Sequence, residues 1–280
     1  MTIKELVALA LAEDLGDGDH TSLATVPYEA SGEAIMYAKQ DGVLSGMNVA
    51  KEVFNQVDAE LDVDILMQDG SKITFGDKVM VVKGRSQSIL SAERTALNFV
   101  QRMSGIASFT NEVVGKIEGL HTKLLDTRKT TPVNRLVEKM AVKTGGGYNH
   151  RFGLYDMIMI KDNHVDFAGG IEKAINATHN YLKDNSKELK IELEVRNFEE
   201  LDEALNIGGI HRIMLDNFTP DELRKALKII NGKYETEASG GITLDSIRDY
   251  AETGVDFISV GALTHQIKSL DLSLKANFNS

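Results

Sequence analysis

With 280 residues, the chain is too long for one small core and fits two domains, or one barrel with an added layer. An apolar content of 42% and a charged content of 26% exclude a disordered or fibrous chain, and the lack of cysteine excludes disulfides, thiolate metal ligands and a cysteine nucleophile. A net charge of -11 argues against nonspecific nucleic-acid binding, and no run approaches the ~18–20 apolar residues that cross a bilayer.

Met1–Asp19 carries Leu6, Val7, Leu9, Ala10, Leu11 and Leu15 with acids between and after them. This predicts an amphipathic helix without the basic start and cleavage site of a signal peptide, so a cytoplasmic location is expected. Gly42, Gly46, Asp69-Gly70, Gly76 and Gly84 then punctuate the chain as turns. Between them Ala34–Lys39, Val63–Met67 and Lys78–Val82 read as strands and Asn48–Val57 as a helix, a small α/β layer. From Ser88 to Ile117, Leu90, Ala92, Leu97, Val100, Ile106 and Val113 follow a helical spacing. Gly105 lies inside it, so one long helix and two consecutive helices both fit.

From Lys123 a short apolar run, a polar motif and a helix repeat. The runs are Lys123–Leu125, Met157–Ile160, Ile191–Val195, Arg212–Leu215, Tyr234–Ala238 and Phe257–Val260. Helical patterns between them include Pro132–Val142, Ile171–Leu182, Phe198–Leu205, Pro220–Ile230 and Leu244–Ala251. Such an alternation calls for a parallel sheet, and the length fits a βα barrel of six or seven strands better than one of eight. An open doubly wound sheet is the alternative.

A polar group that packing does not explain follows each run: Asp126-Thr127-Arg128-Lys129, Lys161-Asp162-Asn163-His164, Glu194-Val195-Arg196, Asp216-Asn217, Ser239-Gly240-Gly241 and Gly261-Ala262-Leu263-Thr264-His265. In a βα barrel these strand ends form one face, where active sites lie. Arg128, Lys129, His150, Arg151 and Lys161 supply cationic donors for carboxylates or phosphates on an otherwise acidic protein. Glu194 and Asp216 end adjacent strands, where Mg²⁺ shared with a diphosphate would relieve their repulsion. Ion pairs with neighbouring lysines, or a carboxylate pair of the glycosidase type, fit those two residues as well, but the second leaves the cationic cluster unexplained. Ser239-Gly240-Gly241 and Gly261-Ala262 suit a phosphate. Gly145-Gly146-Gly147 lacks both Rossmann and P-loop spacing and reads as a tight or flexible loop. His20, His121, His179 and His211 have no constellation around them and read as surface or packing residues.

The run Asp126-Thr127-Arg128-Lys129-Thr130-Thr131-Pro132 with Glu138-Lys139, Gly146-Gly147, Asn149-His150-Arg151 and Lys161-Asp162-Asn163-His164 resembles the quinolinate phosphoribosyltransferase family. The resemblance continues through Glu93-Arg94-Thr95-Ala96-Leu97-Asn98, Ser104-Gly105-Ile106-Ala107, Leu215-Asp216-Asn217, Glu237-Ala238-Ser239-Gly240-Gly241-Ile242 and Ser259-Val260-Gly261-Ala262-Leu263-Thr264-His265, in the family's order over essentially the whole chain. It implies the type II phosphoribosyltransferase fold: an N-terminal α/β domain over residues 1–106 with residues 267–280 packing back on it, and a βα barrel of fewer than eight strands over residues 107–266. It also implies a homodimer in which Arg94 reaches the neighbour's active site. Thr127, Arg128, His150, Arg151 and Lys161, with that Arg94, would bind quinolinate. Lys129, Glu194 and Asp216 would be catalytic and bind phosphoribosyl pyrophosphate together with Ser239, Gly240, Gly241, Val260, Gly261 and Ala262. Glu194 and Asp216 would serve Mg²⁺, partly through diphosphate and water, and no organic cofactor is implied.

The implied products are nicotinate mononucleotide, pyrophosphate and CO₂, in NAD biosynthesis. Three positions depart from the family pattern: Val133 where glycine is usual, Met140 where an aromatic is common, and Gln266 where serine is frequent. The competing assignments are a paralogue associated with molybdate-transport clusters, a catalytically inactive binding protein on the same scaffold, and a barrel lyase using Lys129 or Lys161 as a Schiff base. Intact Lys129, Glu194 and Asp216 argue against the second, and the cationic, anion-directed surroundings argue against the third.

Overall fold

The amphipathic start folds as α1 (Ile3–Leu15), which buries Leu6, Val7 and Leu11. It opens on a capping box in which Thr2 Oγ1 accepts from Glu5 N at 3.2 Å and the Glu5 carboxylate accepts from Thr2 N at 2.7 Å. The chain continues through α2 (His20–Thr25), β1 (Ser31–Ala38), β2 (Gly42–Val43), α3 (Met47–Val57), β3 (Asp62–Ile65), β4 (Lys72–Ile73), β5 (Lys78–Arg85) and α4 (Ser86–Lys116). The structure is a computed structural model that describes residues 1–277.

The alternating half gives β6 (Lys123–Leu125), α5 (Arg135–Thr144), β7 (Ile158–Ile160), α6 (Asp162–Ala168), α7 (Ile171–Asp184), β8 (Ile191–Val195), α8 (Phe198–Ile207), β9 (Arg212–Asp216), α9 (Pro220–Ile230), β10 (Glu235–Ser239), α10 (Ile247–Ala251), β11 (Phe257–Ser259), α11 (Ala262–His265) and β12 (Leu272–Asn277). Six strands form one parallel sheet in the order β6-β11-β10-β9-β8-β7. Every crossover from β7 onward leads to the adjacent strand, and the last strand, β11, pairs with the first, β6. A doubly wound sheet would instead place its first strand in the middle. On the other side of β6, Tyr148 N donates to Leu124 O at 2.8 Å and Tyr148 O accepts from Asp126 N at 3.1 Å. The order is that of a barrel with fewer than eight strands, as expected.

Two compact units result. One comprises Val113–Arg128 and Gly147–Gly261, and so holds the six-stranded sheet. The other comprises Met1–Glu112, Lys129–Gly146 and the chain from Ala262 onward. Its sheet is antiparallel, in the order β12-β1-β5-β3, with β12 registered from Ala38↔Leu272 to Glu33↔Asn277. The expectation for residues 267–280 extends to 278–280, which lie outside the described residues. α5 and α11 belong to this unit although barrel strands flank them in the chain. Arg102 on α4 binds Glu138 on α5, and Asn111 Nδ2 donates to Gly145 O at 3.4 Å. No helix among the described residues is long and apolar enough to cross a membrane.

Of the two readings for residues 88–117, the single helix is correct, because α4 is continuous through Gly105. The glycine serves close approach rather than a break. A Cβ there would meet the backbone of Lys268 and lie 3.1 Å from both Ile267 Cγ2 and Ser269 Cα. Gly105→Ala gains about 1 kcal/mol of helix propensity, but pushing backbone aside costs ~1–3 kcal/mol and more where nothing can yield. The variant is expected to unfold at lower urea concentration than the parent; an equal or higher midpoint would show that residues 267–269 yield without cost.

Candidate active site

Side chains alternate across a strand, so β8, reading Ile191-Glu192-Leu193-Glu194-Val195, puts both glutamates on one face. The parallel register sets Glu192 opposite Arg212, Glu194 opposite Met214, Glu237 opposite Met214 and Ser239 opposite Asp216. Glu194, Asp216 and Ser239 therefore stand at or next to the carboxyl ends of β8, β9 and β10, with Arg212 and Glu192 at the amino-terminal side of their strands and Glu237 in the middle of its own.

At the ends, Lys161 Nζ donates to the buried Glu194 carboxylate at 2.6 Å, so the lysine ion pair weighed for Glu194 is present. Asn217, at φ 59°, donates Nδ2 to Asp216 Oδ2 at 2.6 Å, and its backbone N donates to Ser239 O at 2.8 Å. Gly240 has φ 93°, and a Cβ on it would lie 2.7 Å from Asn217 Cγ and nearer still to Oδ1. Only glycine keeps this approach without displacing the residue that holds Asp216. Thr127 and Arg128 follow β6, Thr127 half-buried and Arg128 exposed. The half-buried Arg151 donates Nη1 to Met157 O at 3.1 Å. Burial and then the charge of Arg128 disfavour the Arg151 guanidinium. Two guanidiniums that oppose each other gain from an anion beside them. Val260 N donates to Leu125 O at 3.0 Å and places Gly261 directly past the end of β11.

His150 was expected to hold substrate, but its ring is turned onto protein. The backbone N donates to Asp126 Oδ1 at 2.8 Å, and Nδ1 accepts from Arg151 N at 2.6 Å. Nε2 lies 3.0 Å from Glu192 Oε2 and 3.3 Å from Glu237 Oε2. Glu237 also sits 3.0 Å from Arg212 Nη1, and both carboxylates are fully buried. Burial resists charge on the imidazole, but the two carboxylates outweigh it and push His150 up to about 9. Burial, followed by the charge of Glu237, pushes Glu192 up too. For Glu237, burial is outweighed by His150 and Arg212, which hold it below the ordinary carboxylate range. Because Nδ1 accepts, the extra proton lies on the Nε2–Glu192 side. Arg212 then balances Glu237, and the shared proton balances Glu192.

Glu192 and Arg212 were not singled out in the sequence, and Glu237 entered only as part of a family motif. The signal was a charge at every second position of β8 and β10, which places charge on a face that should be apolar in an ordinary barrel.

Arg94, Lys129 and Ala262 lie in the other unit. Arg94 is exposed on α4, Lys129 is exposed, and Ala262 opens α11. The Lys129 loop is clamped from α4. Arg102 Nε and Nη2 lie 2.8 and 2.6 Å from Glu138 Oε1, and Nη2 donates to Thr131 Oγ1 at 2.8 Å and Thr264 O at 3.0 Å. The buried Glu138 accepts from Thr131 N at 3.2 Å, and Thr264 Oγ1 donates to Lys129 O at 2.8 Å. Asn134 N donates to Thr131 O at 3.1 Å, closing a turn with Pro132 second and Val133 third. Val133 has φ 71°, the left-handed value that a type II turn requires at its third residue.

Residues 19–104 match the family described as "Quinolinate phosphoribosyl transferase, N-terminal domain", and residues 106–275 match its C-terminal domain. The chain belongs to the quinolinate phosphoribosyltransferase family. It is similar to quinolinate phosphoribosyltransferase (decarboxylating) 2b, mitochondrial, of Nicotiana tabacum, at 44% identity over 98% of this chain and 82% of that protein. A probable nicotinate-nucleotide pyrophosphorylase of Bacillus subtilis is 41% identical over 100% of this chain and 95% of its own length. Among solved structures, the nicotinate-nucleotide pyrophosphorylase of Francisella tularensis superposes with a TM-score of 0.91 at 42% identity, covering 98% of this chain and 96% of that one. A β-branched side chain in the left-handed region costs ~1–3 kcal/mol, so valine at position 133 is strained where glycine would not be. Val133→Gly is expected to raise unfolding free energy by about 1 kcal/mol once the greater chain entropy of glycine is subtracted. An unchanged or lowered midpoint in urea would mean that the valine is unstrained.

Proposed function

We propose that the chain transfers the phosphoribosyl group of phosphoribosyl pyrophosphate to quinolinate with decarboxylation, giving nicotinate mononucleotide, pyrophosphate and CO₂ in NAD biosynthesis. The observation that supports this reading is that Arg128, Arg151, Lys161, Glu194, Asp216 and the Ser239-Gly240-Gly241 turn lie in one unit of a chain of this family, with Lys161 paired to Glu194 at 2.6 Å. The first three, with Thr127, bind the two carboxylates of quinolinate, the arginines by planar two-point contacts. Glu194 and Asp216 face the ribose, and Ser239, Gly240, Gly241, Val260, Gly261 and Ala262 the 5-phosphate. The assignments of Arg94, Lys129 and Ala262, which lie in the other unit, rest on the motif match alone.

Two carboxylates are too few for an all-protein Mg²⁺ site, but they offer oxygen donors, and an ion that completes its shell with diphosphate and water fits them. When bound, Mg²⁺ neutralises diphosphate and makes it a better leaving group. The chain's own residues do the remainder. As the C1–oxygen bond to diphosphate breaks, positive charge develops on the ribose, and Glu194 or Asp216 stabilises it. The quinolinate nitrogen places its lone pair on C1, with the ring held in line by Arg128 and Arg151. The nitrogen is now a pyridinium, so the bond to the adjacent carboxylate breaks with its electrons left on the ring. CO₂ departs and the ring carbon takes a proton from water. No organic cofactor is required for that step.

Arg94 belongs to a second copy of the chain in this reading, and the working enzyme is a homodimer. Incubating the protein with quinolinate, phosphoribosyl pyrophosphate and Mg²⁺ is expected to release nicotinate mononucleotide and CO₂. No turnover, or equal turnover with nicotinate, would overturn the assignment. Losing a charge-assisted pair costs about 1.5–3 kcal/mol, roughly 10–100-fold. Arg128→Ala should therefore raise KM for quinolinate by that factor and Asp216→Asn that for phosphoribosyl pyrophosphate; the opposite pattern would refute the division of roles. At substrate concentrations where Arg94→Ala and Asp216→Asn proteins are each impaired, mixing them should raise activity above that of either alone through mixed dimers, which fails if each chain supplies its own Arg94.

A further inference from the structure

Glu192, Arg212 and Glu237 have no part in the reaction as derived above, yet two of them are fully buried carboxylates and the third is a largely buried guanidinium. Each comes from a different strand, β8, β9 and β10; the two carboxylates meet Nε2 of a residue from a fourth segment, His150, and Arg212 meets Glu237. His150 Nε2, one oxygen of Glu192 and one of Glu237 all lie within 4.8 Å of one another, which is also a spacing that could hold a metal ion. The charges favour a different reading. Arg212 lies against Glu237 at 3.0 Å and Nε2 against both carboxylates at 3.0 and 3.3 Å, so the cluster is neutral as it stands. A divalent ion would have to displace these partners and remove the proton on Nε2. What the cluster controls is the direction of the ring. With Nε2 drawn inward, Nδ1 faces the backbone of Arg151 and accepts its N–H at 2.6 Å, while Asp126 holds the backbone N of His150 itself.

We propose that Glu192, Glu237 and Arg212 are positioning residues: they lock the His150 imidazole inside the barrel so that its Nδ1 fixes the backbone at Arg151, and thereby aim the Arg151 guanidinium at a carboxylate of the substrate. This rests on the assignment of quinolinate to Arg151. His150 on this account supports the binding site from behind. The charged groups facing or flanking the ring are Glu192, Glu237, Arg212, Asp126 and Arg151, with Arg128 beyond Arg151.

Glu237→Gln and Glu192→Leu are each expected to raise KM for quinolinate about tenfold while KM for phosphoribosyl pyrophosphate stays within a factor of about two. Glu192→Gln keeps the shape and a hydrogen-bonding group, so it should recover most of the loss seen in Glu192→Leu. If Glu237→Gln and Glu192→Leu melt at the parent's temperature and bind quinolinate unchanged, the proposal fails. Should both variants fail to fold, ¹⁵N NMR of the histidine-labelled parent decides. The Nε2–H resonance of His150 should persist through pH 6–8, stay in place when quinolinate is added, and be unaffected by Mn²⁺. Titration near the ordinary histidine value, a shift of Nε2 with quinolinate, or paramagnetic loss of that signal on adding Mn²⁺ would each overturn it. The NMR measurement stands even if the parent turns over no quinolinate, so the two readings can fail separately.

Discussion

A parallel barrel strand is buried on both faces, and the usual filling for the inside is branched and apolar. Here three adjacent strands direct Glu192, Arg212 and Glu237 to one side at neighbouring levels. Removing such charges from water costs several kcal/mol per ion, and only close, mutually satisfied partners offset it. The cluster therefore constrains what the barrel can be. Sliding β9 by one residue against β10 would turn Arg212 to the other face and leave Glu237 buried without its guanidinium. Sliding it by two would carry Arg212 out of reach of Glu192 or Glu237. Apolar packing alone tolerates small errors of register better than this, so the cluster gives the strands one alignment, and that alignment sets where Glu194, Asp216 and Ser239 emerge.

Glu192 and Glu194 are the same residue type, two positions apart, on the same face of β8. Their surroundings separate them. Glu192 is closed in with His150 and Arg212 and is pushed toward its protonated form by burial and by Glu237. Glu194 meets the half-exposed Lys161, a long side chain with a point charge that can change partner when an anion arrives. One carboxylate is thus fully enclosed, and the other meets a half-exposed cation. On the next strand, Asp216 Oδ2 accepts from Asn217 Nδ2 at 2.6 Å.

Much of this was legible from one chain. Ile191–Val195 and Pro220–Ile230 fold with the bounds that the sequence predicts, because both carry local signals: a buried run in the first, and a Thr219 capping box followed by Pro220 in the second. The barrel was legible because alternating runs and helices leave few alternatives. Other features depend on contacts far apart in sequence. That α5 and α11 pack with the first unit is decided by Arg102, Glu138 and Thr264, and nothing in the local pattern of residues 135–144 or 262–265 encodes it. Gly105 looked like a possible break because glycine type alone does not distinguish a helix stop from a close crossing, here by residues 267–269. Alternation gave the face of Glu192 but not its depth. His150 was legible as a cation near the site, while the direction of its ring depends on carboxylates 42 and 87 residues later, which no local spacing contains.

The loop carrying Lys129 poses the converse problem of holding an exposed segment in one conformation without burying it. The solution is to fix the backbone on either side. Thr264 holds the carbonyl of Lys129, Glu138 holds the N–H of Thr131, and Arg102 joins Glu138, Thr131 and the Thr264 carbonyl in one fork. A turn so constrained can keep a residue in an unfavourable backbone state, because relaxing Val133 would have to break several of these bonds together. Glycine at that position would make the turn easy; valine makes the clamp necessary. Arg102 and Glu138 reach the loop through its main chain and Thr131, so the backbone around Lys129 is fixed while the residue itself is exposed.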